Sequence, residues 1–155
     1  MKFIDEIKAR AKQDVKTIVL PETRDKRTLI AAAQVLKEGT AKLVMVGDEE
    51  KIRDGAHWLD VELDGITVVN PETSPKLDEY VNLLYELRKK KGMTLESARE
   101  QLLNNYIMFG VMMVKCKDAD GMVAGCCHAT ADVLRPSLQI LKTAPGTELV
   151  SGFFI

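Results

Sequence analysis

Apolar positions recur along the chain with two alternating periods. Phe3, Ile7 and Ala11 fall four residues apart with Ile4 beside them, which is the stripe of a short amphipathic helix over the first thirteen residues. Thr17-Ile-Val-Leu20 then runs apolar without a break, is rich in β-branched residues and is closed by Pro21, so it predicts a buried strand. From Asp25 to Lys37 the helical period returns through Leu29, Ala32, Ala33 and Leu36, with Gly39 as its stop. Lys42-Leu-Val-Met-Val46 predicts a second strand, and Asp48 suits the N-cap of a helix from Glu49 to about Leu59. Ile66-Thr-Val-Val69, closed by Asn70-Pro71, predicts a third strand. Strands separated by helices in this way argue for parallel β/α units with right-handed crossovers, because parallel neighbours require a crossover connection.

Further along, the pattern predicts helices at about Pro75 to Lys90 and, after Gly92, Thr94 to Asn104, where Thr94, Glu96 and Ser97 offer capping chemistry. Tyr106 to Val114 is an apolar stretch punctuated by glycine. Met122-Val-Ala-Gly125 resembles a strand, and a helix is expected from about Ala131 to Lys142, ending at Ala144-Pro145-Gly146. Glu148-Leu-Val-Ser-Gly-Phe-Phe-Ile155 begins an apolar strand where the sequence stops, and this reads as the truncation of a longer protein. No internal repeats or low-complexity tracts occur. The expected fold class is α/β, a three-layer α/β/α arrangement around a mostly parallel sheet.

Composition narrows the function classes. With 155 residues and 46% hydrophobic content the chain can bury a core, which excludes disorder as a description of the whole. Its 22 basic and 23 acidic residues give a net charge of −1, which argues against a general nucleic-acid or membrane-surface binder while leaving room for a local basic site. No segment approaches the roughly 18 apolar residues of a bilayer span, and the charged N-terminus is unlike a signal peptide. Three cysteines, Cys116, Cys126 and Cys127, are an odd count without CxxC spacing, and only His57 and His128 could assist them in a metal site. Reduced thiols in a cytoplasmic protein are the simplest reading, so no metal is expected.

The stretch from Asp120 to Gly146 carries the candidate chemistry. It reads as a strand, a small-residue turn and a helix bearing His128, Thr130, Asp132 and Arg135. Ligands of open parallel sheets bind at the C-terminal strand ends, beside helix N-termini. Thr130 or Asp132 at a helix start is usually only a cap, and His128 taken singly is more often a hydrogen-bonded structural residue than a catalyst. Arg135, next to Pro136, offers a guanidinium fork that matches phosphate geometry. The basic run Arg88-Lys-Lys-Lys91 falls at a helix C-terminus, where the helix dipole favours cations. Glu22 and Asp25 follow a strand and border a site in this reading, although capping explains Asp25 equally well.

The same stretch resembles the phosphate acetyltransferase (phosphotransacetylase) family, whose members carry a segment of the form GAVHSTADTLRPALQIIKTAPG followed by a VSSFF-like strand. Here it reads Gly125-Cys-Cys-His-Ala-Thr-Ala-Asp-Val-Leu-Arg-Pro-Ser-Leu-Gln-Ile-Leu-Lys-Thr-Ala-Pro-Gly146, followed by Val150-Ser-Gly-Phe-Phe-Ile155. Leu20-Pro-Glu22 with Asp25 and Arg27, Val46-Gly-Asp48, and Arg88 to Gly92 before Met93-Thr94 extend the likeness along the whole chain. The chain departs from the pattern at Cys126 and Cys127, which stand for smaller or apolar residues, and at Ala129, which stands for a hydroxyl residue.

The resemblance implies the N-terminal half of a two-domain enzyme of acetate metabolism that interconverts acetyl-CoA and phosphate with acetyl phosphate and CoA, by direct transfer in a ternary complex; on it, residues 1–146 would form a first α/β domain lacking its completion, and 147–155 the start of a second. It implies CoA or phosphate contacts at Arg88 and Arg135, with His128 and Thr130 lining the cleft. The catalytic aspartate, with its serine and arginine, belongs to the C-terminal part, so no catalytic residue is assigned here and the piece alone is expected to be inactive. It also implies a homodimer of the complete protein, a cytoplasmic location and no cofactor beyond CoA as substrate. The alternatives are phosphate butyryltransferase and a non-catalytic acyl-CoA-binding regulatory module.

Overall fold

The structure, a computed structural model, describes residues 2–151. Four strands, β1 (Thr17–Leu20), β2 (Lys42–Val46), β3 (Thr67–Val69) and β4 (Gly121–Met122), form one sheet in the order β3-β2-β1-β4. Every pairing is parallel: Thr17 to Leu20 lie opposite Lys42 to Met45, Val44 to Val46 opposite Thr67 to Val69, and Ile18 and Val19 opposite Gly121 and Met122. The predicted parallel sheet is therefore the one observed.

Helices cover both faces, which is why the central strands are apolar throughout rather than alternating. Successive residues of β2 point to opposite sides. Leu43 and Met45 pack with Leu29 and Ala32 of α2 (Lys26–Glu38) and Ile52 and Ala56 of α3 (Glu49–Trp58). Val44 and Val46, with Val19 of β1, face a larger cluster built by α4 (Leu77–Arg88), α5 (Leu95–Asn104), α6 (Tyr106–Lys115) and α7 (Thr130–Ile140). Tyr80 and Phe109 meet edge to face there at 5.2 Å, a contact worth about 0.5–1.5 kcal/mol beyond the area it buries. The first helix, α1 (Lys2–Gln13), forms as expected but buries none of its residues, and its Lys8 pairs with Glu38 of α2.

Local chemistry accounts for most boundaries. Asp25 and Asp48 cap α2 and α3 by accepting backbone N–H groups, and Thr94 and Ser97 cap α5 reciprocally. The glycine-punctuated stretch 106–114 lies within α6, seven of whose ten residues are buried, so no polar face marks its period. The strand expected at 122–125 is shorter, ending at Met122 before the chain turns. The cap of α7 falls at Ala129 and has no side-chain bond, so Thr130 and Asp132 are helical residues and not the N-cap. Glu148 to Ser151 form no strand, and the rest of the expected terminal strand lies outside the described residues.

Strand order places the site. From β1 the chain crosses to β2 and on to β3 on one side, and it reaches β4 on the other side of β1 only after α4 to α6. The loops leaving β1 and β4 therefore diverge in opposite directions and open a crevice at the C-terminal edge, the usual ligand position in open α/β sheets.

Candidate functional site

A cavity of about 780 Å³ occupies that edge. Arg24 enters it from the β1–α2 loop, Arg88 from the last turn of α4, His128 from the β4–α7 loop and Arg135 from α7. Three of the four residues that the resemblance implicates, Arg88, Arg135 and His128, thus come together from elements far apart in the chain. Thr130 opens α7, is exposed and is not part of the lining.

Sequence reasoning did not find Arg24. Its guanidinium lies 6.0 Å from the centre of the Tyr106 ring, which also lines the cavity. The available signal was its position just after a strand closed by Pro21-Glu22. Acidic side chains in the lining include Glu22, Glu72 and Asp132. Pro136, buried within α7, has no N–H to bond the carbonyl of Asp132 four residues earlier, so that carbonyl is left out of the helical ladder beside the cavity.

Glu22 is the hub of the site. It is 5% exposed, and its carboxylate accepts three consecutive backbone N–H groups, those of Gly125 at 2.7 Å, Cys126 at 2.9 Å and Cys127 at 3.0 Å. His128 Nδ1 lies 2.7 Å from the same group. Gly125 has a φ of 113°, a conformation L side chains rarely adopt, and this lets the turn aim its N–H groups inward as an anion-holding nest. Burial pushes the Glu22 carboxyl up, but the His128 contact and the backbone N–H groups outweigh it and hold it well below the ordinary carboxylate range. The loop is fastened a second time by Arg27, which donates to the Cys126 carbonyl and is itself held by Asp25. Hydrogen bonding from Arg27 lowers Asp25 to about 2.

The thiols beside Glu22 are not activated. Partial burial and the Glu22 carboxylate raise Cys127 to about 11, and Cys126 is also raised, first by burial. Glu22, Cys126 and Cys127 bring donor atoms within 4.8 Å of one another, a spacing open to a metal ion. Both carboxylate oxygens, however, already accept hydrogen bonds and the thiols resist ionisation, so the group is better suited to holding a loop than a metal.

The arrangement can bind an anionic, phosphate-bearing ligand. Three guanidinium groups border it, and their planar forks complement phosphate oxygens.

Residues 2–155 match the family model described as phosphate acetyl/butaryl transferase. The chain is 54% identical over its whole length to phosphate acetyltransferase of Acetivibrio thermocellus and 52% identical to that of Thermoanaerobacterium thermosaccharolyticum, covering 46% of each. A crystal structure of a phosphotransacetylase from Streptococcus pyogenes superposes with a TM-score of 0.89 at 36% identity, over 96% of this chain and 44% of that one. The chain thus spans a little under half the length of the relatives it matches.

Proposed function

We propose a function that proceeds from family membership: the chain belongs to the phosphate acetyl/butaryl transferase family. In this reading it is part of a phosphate acetyltransferase, and its cavity receives CoA and the phosphate end of acetyl phosphate. The CoA thiol loses its proton to a carboxylate supplied outside this chain and attacks the acetyl carbon, the acetyl C–O bond to phosphate breaks, and inorganic phosphate departs. The part played by these residues is positioning and charge stabilisation: Arg135 and Arg88 hold phosphate groups, and His128 orients a ligand oxygen. Thr130, in the first turn of α7, stands outside the cavity lining and is given no role. The complete protein works in the cytoplasm, where CoA is available, as a homodimer.

The observation that carries this reading is the convergence of Arg24, Arg88, Arg135 and His128 on one cavity at the switch in strand order. Its test is acetyl transfer from acetyl phosphate to CoA, measured on the protein at the length at which its cells make it. Arg135→Ala is expected to weaken saturation by CoA or phosphate about tenfold, the usual scale for a lost charge-assisted bond. Unchanged saturation and turnover would remove Arg135 from the site. Tight CoA binding with no turnover in the intact protein would support a regulatory module instead, and preference for a butyryl donor would support the butyryltransferase.

A further inference from the structure

We propose that Glu22 is a positioning residue of the site: it fixes the proton of His128 on Nδ1 and so leaves Nε2 as the nitrogen that meets a ligand. This deepens the functional reading above and rests on it for the identity of the ligand.

The argument begins with what Glu22 is able to accept. Its Oε2 takes the N–H groups of Gly125 and Cys126, and its Oε1 takes that of Cys127 and faces His128 Nδ1 at 2.7 Å. A buried carboxylate surrounded by donors stays ionised and can only accept. The hydrogen between it and the imidazole therefore sits on Nδ1. The other ring nitrogen, Nε2, is the one available to the cavity that His128 lines. Glu22 stands at the end of β1, more than a hundred residues before His128, so a single side chain sets both the path of the β4–α7 loop and the tautomer of its histidine.

Glutamine at position 22 would be nearly the same size but chemically mismatched. One of its two terminal atoms is an NH2 donor, and both positions face donors. Toward Gly125 and Cys126 the NH2 meets two backbone N–H groups that cannot change. Toward Cys127 and His128 one of the two partners can adapt, because the imidazole can move its proton to Nε2 and accept at Nδ1. Glu22→Gln is thus expected to reverse the tautomer, an outcome that lost packing alone would not produce.

The test is long-range proton–nitrogen correlation NMR on the protein at the length at which its cells make it, labelled with ¹⁵N at histidine, with His128→Gln used to assign its signals apart from those of the other histidines. Wild type is expected to carry a protonated Nδ1, and Glu22→Gln a bare Nδ1 with a protonated Nε2. CoA binding measured by calorimetry on the same samples should weaken about ten- to a hundredfold in Glu22→Gln. A bare Nδ1 in wild type overturns the proposal even if the variant fails to fold, and an unchanged pattern in a folded variant does the same. A reversed tautomer with unchanged CoA affinity overturns the link to the ligand. If CoA binds neither protein, the functional reading falls, while the nitrogen pattern still decides the role of Glu22.

Discussion

On one side of β1, β2 pairs through four residues, and Leu43 to Val46 are all buried between helices. On the other side, β4 pairs through only two residues, and the chain beyond it is exposed from Gly125 to Asp132. What replaces apolar burial there is a set of polar ties from distant sequence: Glu22 to the three N–H groups of the loop, Arg27 to the Cys126 carbonyl, and Asp120 to the Thr17 N–H at 2.8 Å. The two flanks share a strand but not a source of stability. The β2 side is held chiefly by the hydrophobic effect, which is insensitive to direction, whereas on the β4 side Met122 packs against the core and the loop beyond it is held by directional bonds that also aim the site. Directional bonding suits a surface that must stay open to a ligand, because it fixes geometry without filling the space.

The largest test of this contrast is Phe109→Ala. Phe109 is fully buried in the core cluster that Val19, Val44 and Val46 of the β1–β2 pair face, and it packs against Tyr80. Its truncation should cost about 3–5 kcal/mol, read from the urea unfolding midpoint. A loss below about 1 kcal/mol would mean that this cluster is not what stabilises the sheet.

Next in size is the acid response of the polar flank. The folded state holds Glu22 below its ordinary value of 4.5, so its contribution is fully present above that value and is lost as pH falls through the lowered one. Glu22→Gln lacks the ionisable group. The stability gap between the two proteins, about 1.5–3 kcal/mol at neutral pH for bonds to a charged acceptor, should therefore narrow steadily below about pH 4.5. Denaturant unfolding between pH 7 and 3 measures it. A gap independent of pH would show that the carboxylate charge does not fasten the loop.

How far the sequence reveals each flank follows the same division. The strands at 17–20 and 42–46 and the caps Asp25 and Asp48 rest on signals within a few residues, and the structure has them where the pattern puts them. The stretch 106–114 was not legible, because a helix buried nearly all round has no polar face to set its period. His128, Arg88 and Arg135 were named through local motifs and likeness, but nothing local shows that they meet. Glu22 was legible as a residue near a strand end and as part of the Leu20-Pro-Glu22 likeness, but not as the partner of the β4–α7 loop. Its partners lie 103 to 106 positions away, and a carboxylate filling a backbone nest leaves no periodic trace. Thr130 illustrates the opposite case: hydroxyl chemistry at a helix start is easily read from sequence, yet here the cap position falls one residue earlier, on Ala129.

The smallest expected effect separates the flanks most finely. Asp120 is joined to Thr17 twice, its side chain accepting the Thr17 N–H and its own N–H donating to the Thr17 carbonyl at 2.9 Å. Asp120→Ala removes the first bond and keeps the second. Because the site is exposed, water can replace the lost acceptor, and global stability should fall by only about 1 kcal/mol or less. Local opening is the sensitive readout. The Val123 N–H bonds the Val19 carbonyl at 3.0 Å at the end of the short β4 ladder, so its hydrogen exchange should quicken in the variant while the amides between β1 and β2 keep their wild-type rates. Equal acceleration on both sides would mean that β4 opens only with the whole sheet, and the polar flank would then be an extension of the core rather than a separately fastened edge.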